Sequence, residues 1–223
     1  MKLTEAPTLR LVLAISLDGR LAPAAGGAAQ LGGTGDRRAL EEALAWADGA
    51  LIGAGTLRAH RTTCLIRDGE RQAQRVQDGR PPQPVALVVS RQQSFPREWP
   101  FFRQPLQRWL LTPPVATPVP SGFDQRLTLG QSWQETLRSL AKAGLQRVLL
   151  LGGAQLCGSL LAEDVVDELQ LTLTPKLLGG SHHWLPTGPK GLPDLLAEPG
   201  AWGLERCDRL EADEVLLHYC RQR

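Results

Sequence analysis

The residues best suited to chemistry in this sequence sit where short apolar runs break into glycine. Leu151-Gly152-Gly153-Ala154 follows Val148-Leu149-Leu150 and opens a helical pattern carried by Leu156, Leu160 and Leu161. Two residues without Cβ let a backbone approach a diphosphate, and the following helix offers unpaired N–H groups and the positive end of its dipole. The spacing is not G-x-G-x-x-G, so the standard dinucleotide fingerprint is absent; a tight packing turn is the other reading. Gly53-Ala54-Gly55-Thr56 follows Ala50-Leu51-Ile52 in the same way and adds a hydroxyl, with a plain turn and helix start as its alternative. Ser90-Arg91 closes Val85-Ala86-Leu87-Val88-Val89. A hydroxyl beside a guanidinium suits a phosphate monoester such as the 2′-phosphate of NADPH, and an arginine there is also an ordinary solvated residue. Ligands of open α/β sheets bind outside the carboxyl ends of the strands, so three such turns from distant segments could line one crevice.

Asp18-Gly19 ends the first apolar run. It reads either as an Asp-Gly turn or as an acid that handles a proton or orders substrate. Lys176, beside Pro175, reads as shaping a turn with Gly179-Gly180 or as approaching a cleft. The four cysteines, Cys64, Cys157, Cys207 and Cys220, form no C-x-x-C and have no zinc-ligand spacing, so they read as buried, reduced thiols. Adjacent His182 and His183 point in different directions and have no third ligand nearby in sequence, so no metal is expected.

These residues need a scaffold, and the apolar pattern supplies an α/β one. Leu11-Val12-Leu13-Ala14-Ile15 reads as a first buried strand, followed by a loop over 21–33. Leu40, Ala43, Leu44 and Ala47 fall on one face of a helix capped by Thr34 or Asp36. The stretch 67–84 reads as an exposed, partly helical connection. Trp109-Leu110-Leu111 reads as another strand, and the prolines at 113, 114, 118 and 120 exclude regular structure after it. Ser132-Trp133-Gln134-Glu135 is a capping box. Leu169, Leu171 and Leu173 alternate with Gln170, Thr172 and Thr174, the period of a strand with one face solvated or in a cleft. Two last strands, about 202–210 and 214–220, flank a hairpin connection.

The bulk properties agree with one globular domain over residues 1–223. Hydrophobic residues make up 42% and charged residues 22%, and the net charge is +2. The arginines are scattered, which argues against a nucleic-acid surface. No apolar run is long enough for a bilayer and no signal region opens the chain, so a cytoplasmic protein without a membrane partner is expected.

Taken in order, several segments resemble one family. Ser16-Leu17-Asp18-Gly19-Arg20 resembles the S-L-D-G-[RK] element of the riboflavin-pathway pyrimidine reductases. Ala50-Leu51-Ile52-Gly53-Ala54-Gly55-Thr56, Leu151-Gly152-Gly153-Ala154 and Val166-Asp167-Glu168-Leu169 continue the match, and Thr174-Pro175-Lys176-Leu177-Leu178-Gly179-Gly180 completes it. The zinc deaminase motifs of the bifunctional members, H-x-E and P-C-x-x-C, do not occur. The resemblance implies a dihydrofolate-reductase-like three-layer α/β/α fold with a central, mostly parallel mixed sheet. It implies NADPH at Ala14, Gly53, Thr56, Ser90, Arg91, Gly152, Gly153 and Leu156, with Asp18 as a catalytic candidate and Thr34, His60 and Arg67 toward the substrate. It further implies a homodimer and hydride transfer to C1′ of a ribosylamino-pyrimidine phosphate, a small-molecule substrate.

The substrate side departs from the family pattern. Leu44-Ala45-Trp46 stands for L-R-A, Ala59-His60-Arg61-Thr62 for A-D-[DN]-P, and Leu151 for a frequent glutamate. Buried polar groups of a substrate left unpaired weigh heavily against it. A same-fold reductase of another small molecule and a non-catalytic nucleotide-binding relative are therefore the alternatives.

Overall fold

The computed structural model describes residues 6–27, 29–186 and 191–223. In chain order its elements are β1 (Thr8–Ser16), α1 (Thr34–Trp46), β2 (Gly49–Gly53), α2 (Ala54–His60), α3 (Gly69–Gln77), β3 (Val85–Val89) and β4 (Arg108–Thr112). They continue with β5 (Gln125–Thr128), α4 (Trp133–Lys142), β6 (Arg147–Leu150), α5 (Ala154–Ala162), β7 (Glu168–Thr174), β8 (Trp202–Arg209) and β9 (Val215–Arg221). Every apolar run read as a strand is one. The fold is mixed α/β, and its residues fall into two compact units, Glu41–Leu149 and Thr8–Leu40 with Leu150–Arg223. No helix among the described residues is long and apolar enough to cross a membrane.

In the first unit β2, β3, β4 and β5 pair in parallel, with β6 beside β2. The first four residues of β2 and of β3 are all buried, which is why these strands read as continuous apolar runs rather than alternating ones. Each fully buried leucine here, such as Leu51, Leu87 or Leu110, contributes about 1.5–3 kcal/mol relative to exposure. Asp48 joins two strand starts: its carboxylate accepts from the backbone N–H of Gln146 and Arg147, both at 2.9 Å. β5 was not expected. Its sequence, Gln-Arg-Leu-Thr, has one apolar residue, and it lies at the end of the strand order, where no alternation is demanded.

The connection over 67–84 holds a surprise. Asp68 caps α3 through the N–H groups of Glu70 and Arg71, and Arg75 inside that helix is only 1% exposed. Its guanidinium donates to the carbonyls of Ala45 (2.9 Å), Ala47 (2.6 Å), Leu44 (3.3 Å) and Pro81 (2.8 Å). The last turn of α1 carries no basic residue, so Arg75 supplies both the donors and the charge that a helix C-terminus lacks. Burial draws its pKa down to about 10.

In the second unit β1 and β7 pair in parallel, and β7, β9 and β8 are antiparallel neighbours. β7 inverts the ordinary pattern. Gln170, Thr172 and Thr174 are buried, while Leu169, Leu171 and Leu173 are half-buried. A buried polar face needs partners. Gln170 donates to the Ala39 carbonyl at 3.3 Å, and the Thr174 hydroxyl donates to the Ile15 carbonyl at 3.2 Å. α1 already includes Thr34, which is exposed, so neither Thr34 nor Asp36 precedes the helix as its cap. The expectation of four buried thiols is also corrected: Cys157 is buried, Cys220 half-buried, and Cys64 and Cys207 exposed.

Candidate functional site

In the second unit the structure brings the Ser16–Arg20 motif and the Pro175–Gly180 motif together. Ser16, fully buried at the end of β1, donates to Asp18 at 2.5 Å and accepts from the Arg20 N–H. The Asp18 carboxylate accepts from the backbone N–H of Leu178 at 3.1 Å and of Gly179 at 2.7 Å. Those bonds, with Ser16 the strongest, hold its pKa well below the usual carboxylate range. Asp18 is thus a committed acceptor that orders a loop. Arg20 donates to the Gly180 carbonyl (2.9 Å) and meets His183 Nδ1 (2.8 Å), while Lys176 donates to the Leu31 carbonyl (2.8 Å). Gly180 has a φ of +74°, and a Cβ there would lie 2.7 Å from the Ala24 backbone. The second glycine of the motif is needed for this close approach. Leu17 and Leu177 remain exposed on the same pair of loops, 61% and 77%.

The first turn of α1 meets an acid from just before β9. Glu214, 2% exposed, accepts from the N–H of Gly33 at 2.6 Å and of Asp36 at 3.3 Å. Asp36 itself faces Thr172 and Glu214. Burial raises its pKa, a hydrogen bond with Thr172 opposes that, and the Glu214 charge adds to it. Thr172 is the register partner of Ala14 on β1, so Ala14 lies beside this polar group. Glu214 is therefore committed to the start of α1. Glu41 is also buried and accepts from the N–H of Arg67 and Asp68, both at 2.9 Å.

The Gly152–Gly153 turn also belongs to this unit. Gly152 has a φ of +97°, and a Cβ would lie 3.4 Å from Leu13 on β1. The peptide between the two glycines is cis. Gly153 precedes α5 with no side-chain hydrogen bond at the cap. Leu156 is buried in the first turn of that helix. Backbone N–H groups at the start of a helix, reached past residues without Cβ, fit a diphosphate.

In the first unit Gly53 is the register partner of Val89, so Gly53 and Ser90 share one end of adjacent parallel strands. Ser90 is buried and its hydroxyl accepts from the Gln92 N–H at 3.0 Å. Thr56 is half-buried in α2, and Arg91, His60 and Arg67 are exposed. Arg58, which the motifs did not single out, donates to Gln92 at 2.5 Å. Sequence reasoning missed the Asp36, Thr172 and Glu214 group, because its members come from three segments far apart in the chain. Polar residues on the alternate positions of β7 were its one visible trace. His182 and His183 have separate duties: the His182 carbonyl accepts from the Leu21 N–H, and the His183 ring meets Arg20.

Known proteins resemble this chain along most of its length. The riboflavin biosynthesis protein RibD of Haemophilus influenzae is 28% identical over 221 residues, 96% of this chain and 58% of that protein. The chain thus spans a little over half of that relative. The 2,5-diamino-6-ribosylamino-4(3H)-pyrimidinone 5′-phosphate reductase of Archaeoglobus fulgidus is 23% identical, over 78% of this chain and 83% of that protein. Among solved structures, RibD of Acinetobacter baumannii superposes with a TM-score of 0.80 at 22% identity, covering 99% of this chain and 59% of that one. Dihydrofolate reductase of Enterococcus faecalis superposes with a TM-score of 0.56 at 12% identity, covering 97% of both chains, so the fold is dihydrofolate-reductase-like. A family model described as the RibD C-terminal domain matches residues 7–209, and the chain belongs to that family, the pyrimidine reductases of riboflavin biosynthesis.

Proposed function

We propose that this chain is an NADPH-dependent reductase that converts the ribosyl group of 5-amino-6-(5-phosphoribosylamino)uracil to ribityl. The observation that carries the reading is the Gly152–Gly153 turn, with Gly152 at a φ of +97° and the start of α5 just beyond it. The names of the Archaeoglobus and Haemophilus relatives support the reaction class. One family model spanning 7–209 supports reading the chain as a single reductase domain.

NADPH, when bound, supplies the hydride. Gly152, Gly153 and Leu156 would hold its diphosphate end, Ala14 the nicotinamide through its backbone, and Gly53, Thr56, Ser90 and Arg91 the remaining phosphate and ribose. Thr34, His60 and Arg67 are the proposed substrate positions. Reduction at C1′ of the opened sugar also requires a proton at the adjacent nitrogen, and such a donor works best with a pKa near the working pH. Asp36 suits that task better than Asp18: burial and Glu214 raise its pKa, against the pull of Thr172 and Arg37. Asp18 then orders the 176–180 loop against the end of β1. The half-buried leucines of β7 support a homodimer, which light scattering at micromolar concentration tests: a monomeric mass refutes it. A cytoplasmic location accords with such an enzyme.

Tryptophan fluorescence titration with NADPH tests the cofactor assignment. Saturable binding, weakened about tenfold or more by Gly152→Ala because a Cβ intrudes at a left-handed position, is expected. Absence of binding at millimolar NADPH contradicts it. A second reading, reduction of a different small molecule on the same fold, draws on the basic His60-Arg61 pair where the family pattern is acidic.

A further inference from the structure

Glu168, His218 and Cys220 converge on one face of the second unit. Glu168 opens β7 and is the direct antiparallel partner of Cys220 on β9. His218 stands two residues before Cys220 on the same strand and so projects to the same face. His218 Nε2 lies 2.9 Å from Glu168 Oε2. The carboxylate, imidazole and thiol donor atoms all fall within 4.8 Å of one another, and all three residues are half-buried. None of this is visible as ligand spacing, because the carboxylate lies fifty positions from the histidine.

We propose that Glu168, His218 and Cys220 form a binding site for a zinc-class divalent cation. The donor set is one sulfur, one nitrogen and one oxygen, which selects a borderline-soft ion over magnesium or calcium, whose shells are built from oxygen. Bonds of about 2.0–2.3 Å to zinc put tetrahedral ligand atoms about 3.3–3.8 Å apart. The three donors need only side-chain adjustments to reach that spacing, and adjacent strands hold their backbones in place. Three protein donors leave a fourth position for water or for Glu205. That residue falls at the register shift between Leu204 and Arg206 on β8, and its charge acts on the Cys220 thiol.

Arg10 is the competing cation. It is the register partner of Glu168 on β1, and its Nε lies 2.5 Å from the same Oε2 that meets His218. Without a divalent ion, Arg10 balances the carboxylate. A divalent ion takes over that balance at twice the charge, and Arg10 has to yield Oε2. An Arg–Glu–His ion network would be complete without a thiol, whereas Cys220 directly opposite the carboxylate completes a ligand set.

Cobalt and zinc titrations of the full chain, stripped of metal with chelator, test the site. The expected result is one ion per chain, with the near-ultraviolet charge-transfer band of a cobalt–thiolate bond. Cys220→Ser abolishes the band and His218→Ala weakens zinc binding by about tenfold or more, while Cys207→Ser changes neither. Because strand variants can misfold, the wild-type chain gives an independent readout. Zinc should slow alkylation of Cys220, read by peptide mass spectrometry, and leave exposed Cys64 and Cys207 unaffected. No cobalt–thiolate band, a band that survives in Cys220→Ser, or unprotected Cys220 at saturating zinc overturns the proposal.

Discussion

The Asp18 carboxylate accepts the backbone N–H of Gly179 at 2.7 Å, across 161 positions of sequence. One acid, also held by Ser16 and Leu178, fastens the Pro175–Gly180 segment to the turn that ends β1. The two motifs that most clearly resemble the reductase family are therefore halves of one local structure.

Asp18→Asn should loosen that structure without unfolding the unit. An amide keeps one acceptor but loses the charge that strengthens bonds to N–H groups. Hydrogen exchange at Leu178 and Gly179 should quicken by roughly tenfold or more, with β1 and β7 unchanged. If substrate assembly depends on this loop, KM should rise more than kcat falls.

Glu214, just before β9, accepts from the N–H groups at the start of α1, so its removal should resemble the loss of a helix cap. Glu214→Ala should cost about 1–2 kcal/mol, read as a lower urea midpoint at unchanged slope. Glu214→Gln keeps one of the two acceptor oxygens, enough for the shorter bond from Gly33, and should recover part of it. Equal losses in both variants would contradict the capping role.

Arg75→Met keeps the stem of the side chain but leaves the carbonyls of Leu44, Ala45, Ala47 and Pro81 without their buried donors. Unsatisfied buried acceptors are costly, and a loss of about 3–4 kcal/mol is expected in urea unfolding. A loss within about 0.5 kcal/mol, the usual range for an exposed surface change, would show that water replaces the guanidinium.

Asp36 has a pKa raised above its ordinary value in the fold by burial, with Thr172 and Arg37 opposing and Glu214 adding to the effect. Its native form therefore retains a proton that the unfolded chain releases. Stability falls as pH rises from the ordinary carboxylate value through the native one, and the cost is full above that. Asp36→Asn removes this cost, so its stability relative to wild type should improve between acidic and neutral pH. A pH-independent difference would contradict the assignment. If Asp36 also donates the proton in catalysis, the same variant should flatten the alkaline limb of kcat.

Much of the fold was legible because buried parallel strands write themselves as unbroken apolar runs. Ala50-Leu51-Ile52 and Val85–Val89 are examples, and Gly152 marked a turn that needs a left-handed residue. β5 was not legible, since an edge strand with a single leucine imposes no pattern. Arg75 was hidden for a different reason: a polar residue in a polar stretch looks solvated unless the carbonyls it serves are known. The site was only half legible. The Asp18 and Pro175–Gly180 motifs could be read as pieces, but their pairing, and the meeting of Asp36 with Thr172 and Glu214, are consequences of tertiary structure. In β7 the alternation announced two different faces, but not that the buried one carries Gln170, Thr172 and Thr174.

The central claim is reduction of a ribosylamino-pyrimidine phosphate at the expense of NADPH. Purified chain should be incubated with NADPH and 5-amino-6-(5-phosphoribosylamino)uracil, following cofactor absorbance and product mass together. Substrate-dependent loss of NADPH and a product heavier by one hydride and one proton are expected. NADPH that stays unconsumed, while a known pyrimidine reductase consumes it under the same conditions, would contradict it.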